Sequence, residues 1–411
     1  MSGRDGKHGG TAGPERTSAD GMGPATRGVR AGLARSPHGE TSEALWLTSG
    51  YVYESAEEAA ARFSGDSEGY VYSRYGNPTV SMFEQRLAAL EGAEACMATG
   101  SGMAAMFSAL ASHLQAGDHV VASRFLFGSC HQVITKILPR FGISHTLVDA
   151  SDPQAWKDAV RPETRAFFLE TPANPTLDVF DIPAIAGIAR QAGALLVVDN
   201  VFATPVLQNP LRLGADVVIH SATKHMDGQG RTMGGAVLGT RKYVTETLMP
   251  FLRHTGPTLA PFNAWVLLKG LETLKLRVEA ASRSALEIAR HLEARLGRGQ
   301  VRYPFLESFP GHDLARRQMR GGGTLVAFTL PGGRETAFAF LNALRLIDIS
   351  NNLGDAKSLI THPASTTHSA VKEEDRRAQG ITEGLVRLSV GLEDAADLIA
   401  DIDRALDVAG V

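Results

Sequence analysis

Ala194-Leu195-Leu196-Val197-Val198-Asp199 is an apolar run closed by a carboxylate, and Val217-Val218-Ile219-His220 repeats the pattern before Ser221-Ala222-Thr223-Lys224. Short continuous apolar runs of this kind are strands covered on both faces, the signature of a parallel sheet. Working outward, Pro183–Ala192 reads as the helix before the first run, and Ala166–Glu170, His119–Ala122 and Ala236–Gly239 read as further strands. Phe83–Leu90 and Gly102–Leu114 carry helical spacing. Strands alternating with helices predict an α/β fold, with a mostly parallel central sheet covered by helices. After Pro261 a helical stretch runs to about Leu296, and strands near Leu325–Leu330 and Val386–Val390 alternate with helices, which predicts a smaller α/β C-terminal domain.

A chain of 411 residues fits that two-domain reading, and 44% hydrophobic with 21% charged residues is ordinary globular material. The net charge of -3 and the lack of a Lys/Arg stripe give nucleic-acid binding no source of affinity. No apolar run approaches bilayer length, so the chain is expected to be cytoplasmic, with no membrane partner. Cys96 and Cys130 are too few for a disulfide framework and read as reduced thiols. Residues 1–38, rich in Gly, Ser, Thr, Pro and Arg with no apolar period, read as a disordered tail that lacks the apolar core of a secretory signal.

Ligands of open α/β sheets bind at the carboxyl ends of the strands, and four places there carry chemistry. Thr99-Gly100-Ser101-Gly102-Met103 opens a helix, where glycines and free N–H groups suit a phosphate; it also reads as a plain tight turn. With Ala105 it matches a dinucleotide fingerprint, but His119–Ala122 is followed by Ser123-Arg124 instead of an acid, which leaves only an NADP form of that reading. Asp199 at the cleft floor requires a cationic partner, either a protonated ring nitrogen or a structural salt bridge, unless it caps a helix. Lys224 beside Ser221 and Thr223 could reach an aldehyde while the hydroxyls bind phosphate, although a single lysine is commonly a surface charge. Arg387, inside an apolar strand, demands a carboxylate, from a substrate or from a nearby acid. His362 and His368 are spaced for no helical metal pair, and no metal is expected.

Together, Tyr72-Ser73-Arg74-Tyr75-Gly76-Asn77-Pro78-Thr79, Gly100–Met103, Glu170-Thr171-Pro172-Ala173-Asn174-Pro175, Val198-Asp199-Asn200, Ser221–His225 and Arg387-Leu388-Ser389-Val390-Gly391-Leu392-Glu393 resemble the Cys/Met-metabolism family of fold-type I pyridoxal 5′-phosphate (PLP) enzymes, from about residue 40 onward. The resemblance implies a PLP-dependent transferase in which Lys224 holds PLP as a Schiff base, Asp199 pairs with the pyridine nitrogen and Asn174 lies on the ring-hydroxyl side. It implies that the Gly102 and Met103 backbone, Ser221 and Thr223 hold the phosphate. Tyr72 and Arg74, on an arm spanning 39–80, would reach the site of a neighbouring subunit in a homotetramer. Residues 81–265 would form the PLP-binding domain and 266–411 the C-terminal domain. Arg387, Ser350 and Asn351 would bind the amino-acid substrate.

One position departs from the family pattern: Phe127 stands where most members stack a tyrosine on the ring, and phenylalanine can stack but cannot move a proton. With Ser350–Leu359 and Gly256–Asn263, this resembles the branch that makes homocysteine from O-succinylhomoserine and sulfide by γ-replacement. The acetyl ester as substrate, or cysteine as the sulfur donor, are the neighbouring expectations, with an NADP oxidoreductase and a non-catalytic scaffold more remote.

Overall fold

The computed structural model describes residues 21–411. A seven-stranded sheet contains β1 (Ala95–Thr99), β2 (His119–Ser123), β3 (Ser144–Val148), β4 (Thr164–Glu170), β5 (Leu195–Asp199), β6 (Val217–Ser221) and β7 (Gly235–Gly239). Its spatial order is β1-β7-β6-β5-β4-β2-β3. The strands β2 to β6 pair in parallel, and β7 runs against both β6 and β1.

The pleat explains why these strands read as unbroken apolar runs. Val120, Ala122, Phe168 and Val197 pack with Met106, Leu110 and Ile134 on one face. The alternate residues Val121, Phe167, Leu169, Leu196 and Val198 pack with Trp156, Ile185 and Ile188 on the other. Side chains alternate across a strand, so a sheet with helices on both faces needs apolar residues at every position. The polar residues Glu170, Asp199 and Ser221 appear only where the strands end, at one edge of the sheet.

A second sheet holds β8 (Val301–Arg302), β9 (Leu325–Thr329), β10 (Asp348–Ile349), β11 (Leu359–Thr361) and β12 (Leu385–Ser389), ordered β10-β11-β12-β9-β8 and antiparallel except for β10 with β11. The helix Pro261–Leu296 joins the two regions. Its buried positions Leu267, Leu271, Leu274, Val278, Ile288 and Leu292 recur every three or four residues or multiples of a turn. They share one core with Phe83, Leu87 and Leu238 on one side and Phe328, Val386 and Ile402 on the other. A division at residue 265/266 therefore falls inside a continuous helix, within a continuous core.

The expected tail over 1–38 needs a correction for its second half; residues 1–20 lie outside the described residues. Pro24–Arg30 is a helix, and Gly28 sits so close to the long helix that a Cβ would lie 3.0 Å from the Leu271 carbonyl oxygen. Ala31 is buried and its carbonyl accepts from Arg86 Nε at 2.9 Å. Farther along, Glu43 is buried against the guanidinium of Arg86 and accepts from Lys269 Nζ at 2.9 Å. Close backbone approach and a buried ion pair hold this segment, and neither leaves an apolar period in the sequence.

Both cysteines are buried and free. Among the described residues no helix is long and apolar enough to cross a membrane.

Removing one partner of a buried pair strands the other charge, at a cost of about 3–5 kcal/mol. Glu43→Ala leaves Arg86 the longer contact to Glu272, 3.6 Å from its Nη1, so a loss toward the lower end of that range is expected, read as an earlier denaturant midpoint for the cofactor-free protein. A shift equivalent to less than ~1 kcal/mol would mean that Glu272 or water suffices for Arg86.

Candidate cofactor and substrate cleft

The turn after β1 is built for close approach. Ser101 caps the helix Gly102–Ala111, its Oγ accepting from Ala104 N at 3.1 Å. A Cβ on Gly102 would lie 2.5 Å from Ser221 Cβ, and one on Gly235 would lie 2.2 Å from the Ser101 carbonyl oxygen. Only glycines let this helix start abut the ends of β6 and β7. The N–H groups of Gly102 and Met103 fall in its first turn, where the helix supplies no acceptor and its dipole favours an anion. The dinucleotide reading fits poorly here, because β1 is an edge strand paired only with the antiparallel β7, whereas that motif uses the first strand of a parallel βαβ unit.

Directly beyond β6, Ser221 faces Gly102, and the Thr223 hydroxyl is engaged with Gly234, donating to its carbonyl at 3.2 Å and lying 3.1 Å from its N–H. Lys224 is half-buried, and its Nζ donates to Asn352 Oδ1 at 2.5 Å. Burial first, and then the nearby Arg387 charge, bring the amine down to about 8. Asn352 escaped the sequence reading, which chose its neighbours. Ser350 Oγ accepts from Asn352 N at 3.2 Å, and Asn351 turns its side chain to solvent while its carbonyl accepts from Arg387.

Asp199 ends β5 half-buried. Its Oδ1 accepts from Val201 N at 3.0 Å, and burial raises its carboxyl to about 6. Among the described residues no Lys, Arg or His forms an ion pair with it, and His220, which acts on it from farther off, is itself bonded to Glu91, so no cation for its position comes from those residues. Arg387 is the complementary case. It is 1% exposed, donates from Nη1 to Asn174 Oδ1 at 2.8 Å and from Nη2 to the Asn351 carbonyl at 3.0 Å, and keeps a buried Nε with no partner. No acid among the described residues pairs with it, so the structural ion pair that sequence left open is not what holds it. At about 10 its guanidinium, though lowered by burial, stays charged at neutral pH.

Glu170 also went unselected as a site residue. It is buried at the end of β4, directly opposite Asp199 in the sheet register. Its Oε2 accepts from Phe127 N at 2.8 Å and its Oε1 from Asn174 N at 2.9 Å. Phe127 and Met103 are half-buried on the side of the sheet core that includes Cys130, whose Sγ lies 4.0 Å from Met103 Sδ. Tyr72 and Arg74 stand apart: Tyr72 is exposed, and the Arg74 guanidinium lies 4.8 Å from the Tyr75 ring centroid and donates to the Arg253 carbonyl. Neither has a hydrogen bond to Lys224, Asp199 or Arg387. His362 is bonded to Ser365 Oγ and the Glu383 carbonyl, and buried His368 to Thr367 Oγ1.

The structure thus gathers Gly102, Ser221, Thr223, Lys224, Asp199, Asn174 and Arg387 at one edge of the sheet, with Tyr72 and Arg74 outside the group. An anion cradle at a helix start, a lysine with a weakened hold on its proton, a carboxyl lacking a cation and a guanidinium lacking a carboxylate fit PLP and an amino acid. Lys224 and Asp199 would hold the aldehyde and ring-nitrogen ends, and Gly102, Met103 and Ser221 the phosphate.

Comparison with known proteins agrees. The chain is 56% identical over 391 residues to O-succinylhomoserine sulfhydrylase of Mycobacterium tuberculosis, covering 94% of this chain and 96% of that one. It is 53% identical to O-succinylhomoserine sulfhydrylase of Pseudomonas aeruginosa, covering 93% and 94%. A solved structure from Campylobacter jejuni, assigned as O-acetylhomoserine (thiol)-lyase and carrying a pyridoxyl-lysine monophosphate, superposes with a TM-score of 0.91 at 33% identity, covering 94% of this chain and all of that one. The family model described as Cys/Met metabolism PLP-dependent enzyme matches residues 25–407. With fold, cleft and relatives in accord, this chain belongs to the Cys/Met metabolism PLP-dependent enzymes.

Proposed function

We propose that this enzyme carries out γ-replacement on O-succinylhomoserine with sulfide, releasing succinate and homocysteine. One observation carries the reaction class: a buried guanidinium with an unpartnered Nε stands next to a lysine amine brought down to about 8. The relatives named O-succinylhomoserine sulfhydrylase, at 53% and 56% identity, favour the succinyl ester and sulfide. PLP, when bound, supplies an electron sink for charge developing at the substrate Cα.

The remaining work falls to the chain. Arg387 takes the α-carboxylate in its open edge, as a planar fork does best. Asp199 would hold the ring nitrogen and keep it protonated, because a carboxylate beside a titrating nitrogen favours its charged, protonated form. Lys224 takes the proton from Cα and returns protons along Cα and Cβ as the Cγ–O bond to succinate breaks and a C–S bond to sulfide forms. Phe127 offers the ring a flat apolar neighbour and no proton, so every transfer is left to the lysine. Asn352, bonded to Lys224 and within 3.4 Å of Arg387 through its carbonyl, holds the amine near the substrate's α-carbon side. Tyr72 and Arg74 extend to the phosphate in a neighbouring subunit of a homotetramer; the exposure of Tyr72, and the lack of a hydrogen bond from either residue to Lys224, Asp199 or Arg387, support this. The protein works in the cytoplasm, on small molecules.

Incubated with O-succinylhomoserine, the purified enzyme is expected to form homocysteine with sulfide faster than cystathionine with cysteine, and O-acetylhomoserine to compete weakly. Dominant cystathionine formation would make it a synthase of that product, and a preference for the acetyl ester would change the substrate. Lys224→Ala is expected to abolish turnover together with the visible absorbance of lysine-bound cofactor; retention of both would sink the assignment.

Truncating one side of a buried charge-paired hydrogen bond costs 2–5 kcal/mol. Arg387→Ala is therefore expected to raise KM for the ester by about a hundredfold, with a smaller effect on kcat. An unchanged KM would remove Arg387 from the substrate site.

The amine is protonated below its pKa and nucleophilic above it. Labelling of the cofactor-free protein by an aldehyde at Lys224, trapped by borohydride and read by mass, should rise with pH through a midpoint near 8. Arg387→Met removes a neighbouring cation and should move the midpoint upward, though not to the ordinary 10.5, since burial is the larger cause. A midpoint unmoved by that change would show that the guanidinium does not act on the amine.

A further inference from the structure

We infer that Glu170 is a positioning residue: its carboxyl fixes Phe127 and Asn174 relative to each other, and through Asn174 fixes Arg387. The inference rests on the proposed reading for its substrate arm only.

The geometry is specific. Glu170 is 5% exposed and ends a central strand, where its backbone is in register with Asp199 of β5. Its two oxygens are used on two different loops. One accepts from Phe127 N at 2.8 Å, on the loop after β2, and the other from Asn174 N at 2.9 Å, on the loop after β4 itself. Asn174 then turns its Oδ1 to Arg387 Nη1 at 2.8 Å, across to β12 in the second sheet. A single carboxyl thus sets the residue stacked on the cofactor ring and the residue that orients the substrate-binding guanidinium. Glu170 has no cation within ion-pair distance among the described residues, and it lies opposite Asp199. A buried carboxyl kept in that position, beside a second carboxyl, is costly. The two backbone N–H groups are what its oxygens offset that cost with. A purely structural group at this site could be apolar, as its neighbours Phe168 and Leu169 are.

The amide of Glu170→Gln keeps the volume but turns one acceptor into a donor facing a donor, so one loop must move. Four measurements test the inference: unfolding midpoint of the cofactor-free protein, PLP affinity by titration of the cofactor-free protein, the visible spectrum of the loaded enzyme, and kcat and KM for O-succinylhomoserine. Glu170→Gln is expected to fold, to weaken PLP binding and to raise KM, each by about tenfold, the scale of one lost hydrogen bond, and to shift the visible band. In an Arg387→Ala background its effect on KM should vanish, because the route through Asn174 to the guanidinium is already cut.

Parent-like PLP affinity, spectrum and KM in Glu170→Gln would overturn the inference. Additive KM effects in the double variant would overturn the route through Asn174. Should Glu170→Gln fail to fold, Glu170→Ala with PLP titration decides in its place: parent-like affinity refutes the positioning role and weakened affinity supports it. The PLP and spectral arms need no sulfur substrate, so they stand or fall separately from the assignment of O-succinylhomoserine.

Discussion

Arg387 is a charge sealed inside the protein with no ion-pair partner among the described residues, buried Glu170 acting on it from farther off, and the cleft is organised around that fact. Its guanidinium sits in β12 at 1% exposure, held by an amide oxygen and a main-chain carbonyl that satisfy two of its nitrogens and leave Nε open. Neutral acceptors orient a guanidinium without neutralising it, so the attraction for an incoming carboxylate survives in a medium where it is strong. The same charge weakens the hold of Lys224 on its proton. Burial is the larger cause of that weakening, and the guanidinium adds to it.

Keeping that charge in place requires the two sheets to stay in register, because Arg387 comes from the second and Asn174, Asp199 and Lys224 from the first. The helix Pro261–Leu296 supplies this, packing Leu267 and Leu271 toward Phe83 and Leu87 and packing Ile288 and Leu292 toward the second sheet's core. The glycines at 102 and 235 do the equivalent at short range: with no Cβ they let the helix start at Gly102 touch the ends of β6 and β7. At the other end, buried Glu43 fastens the N-terminal segment to the helix Pro78–Glu91 through Arg86 and to that same long helix through Lys269.

Much of the cleft was legible because its residues stand where strands stop. Asp199 and Lys224 follow apolar runs, and Arg387 interrupts one, so each is conspicuous by burial alone. Glu170 and Asn352 were not conspicuous. Glu170 closes an equally apolar run, but nothing local says that its oxygens serve two loops. Asn352 is one of three adjacent polar residues, and which of Ser350, Asn351 and Asn352 faces the lysine depends on the turn of a loop. The helix at Pro24–Arg30 was missed for another reason: Gly28 and Ala31 bind by closeness of backbone, which no apolar period records.

What the sequence by itself determined is the layered α/β plan, the set of residues at the strand ends and, through resemblance, the PLP family, because hydrophobic period and strand-end polarity are written along the chain. Only the tertiary structure decided which polar groups meet: that among the described residues Asp199 has no ion-pair cation and Arg387 no ion-pair acid, that Arg387 bonds Asn174, that Lys224 bonds Asn352, and that Glu170 joins two loops. Those pairings join residues up to 213 positions apart. They follow from how two sheets pack across a shared helix, a relation that no local pattern encodes.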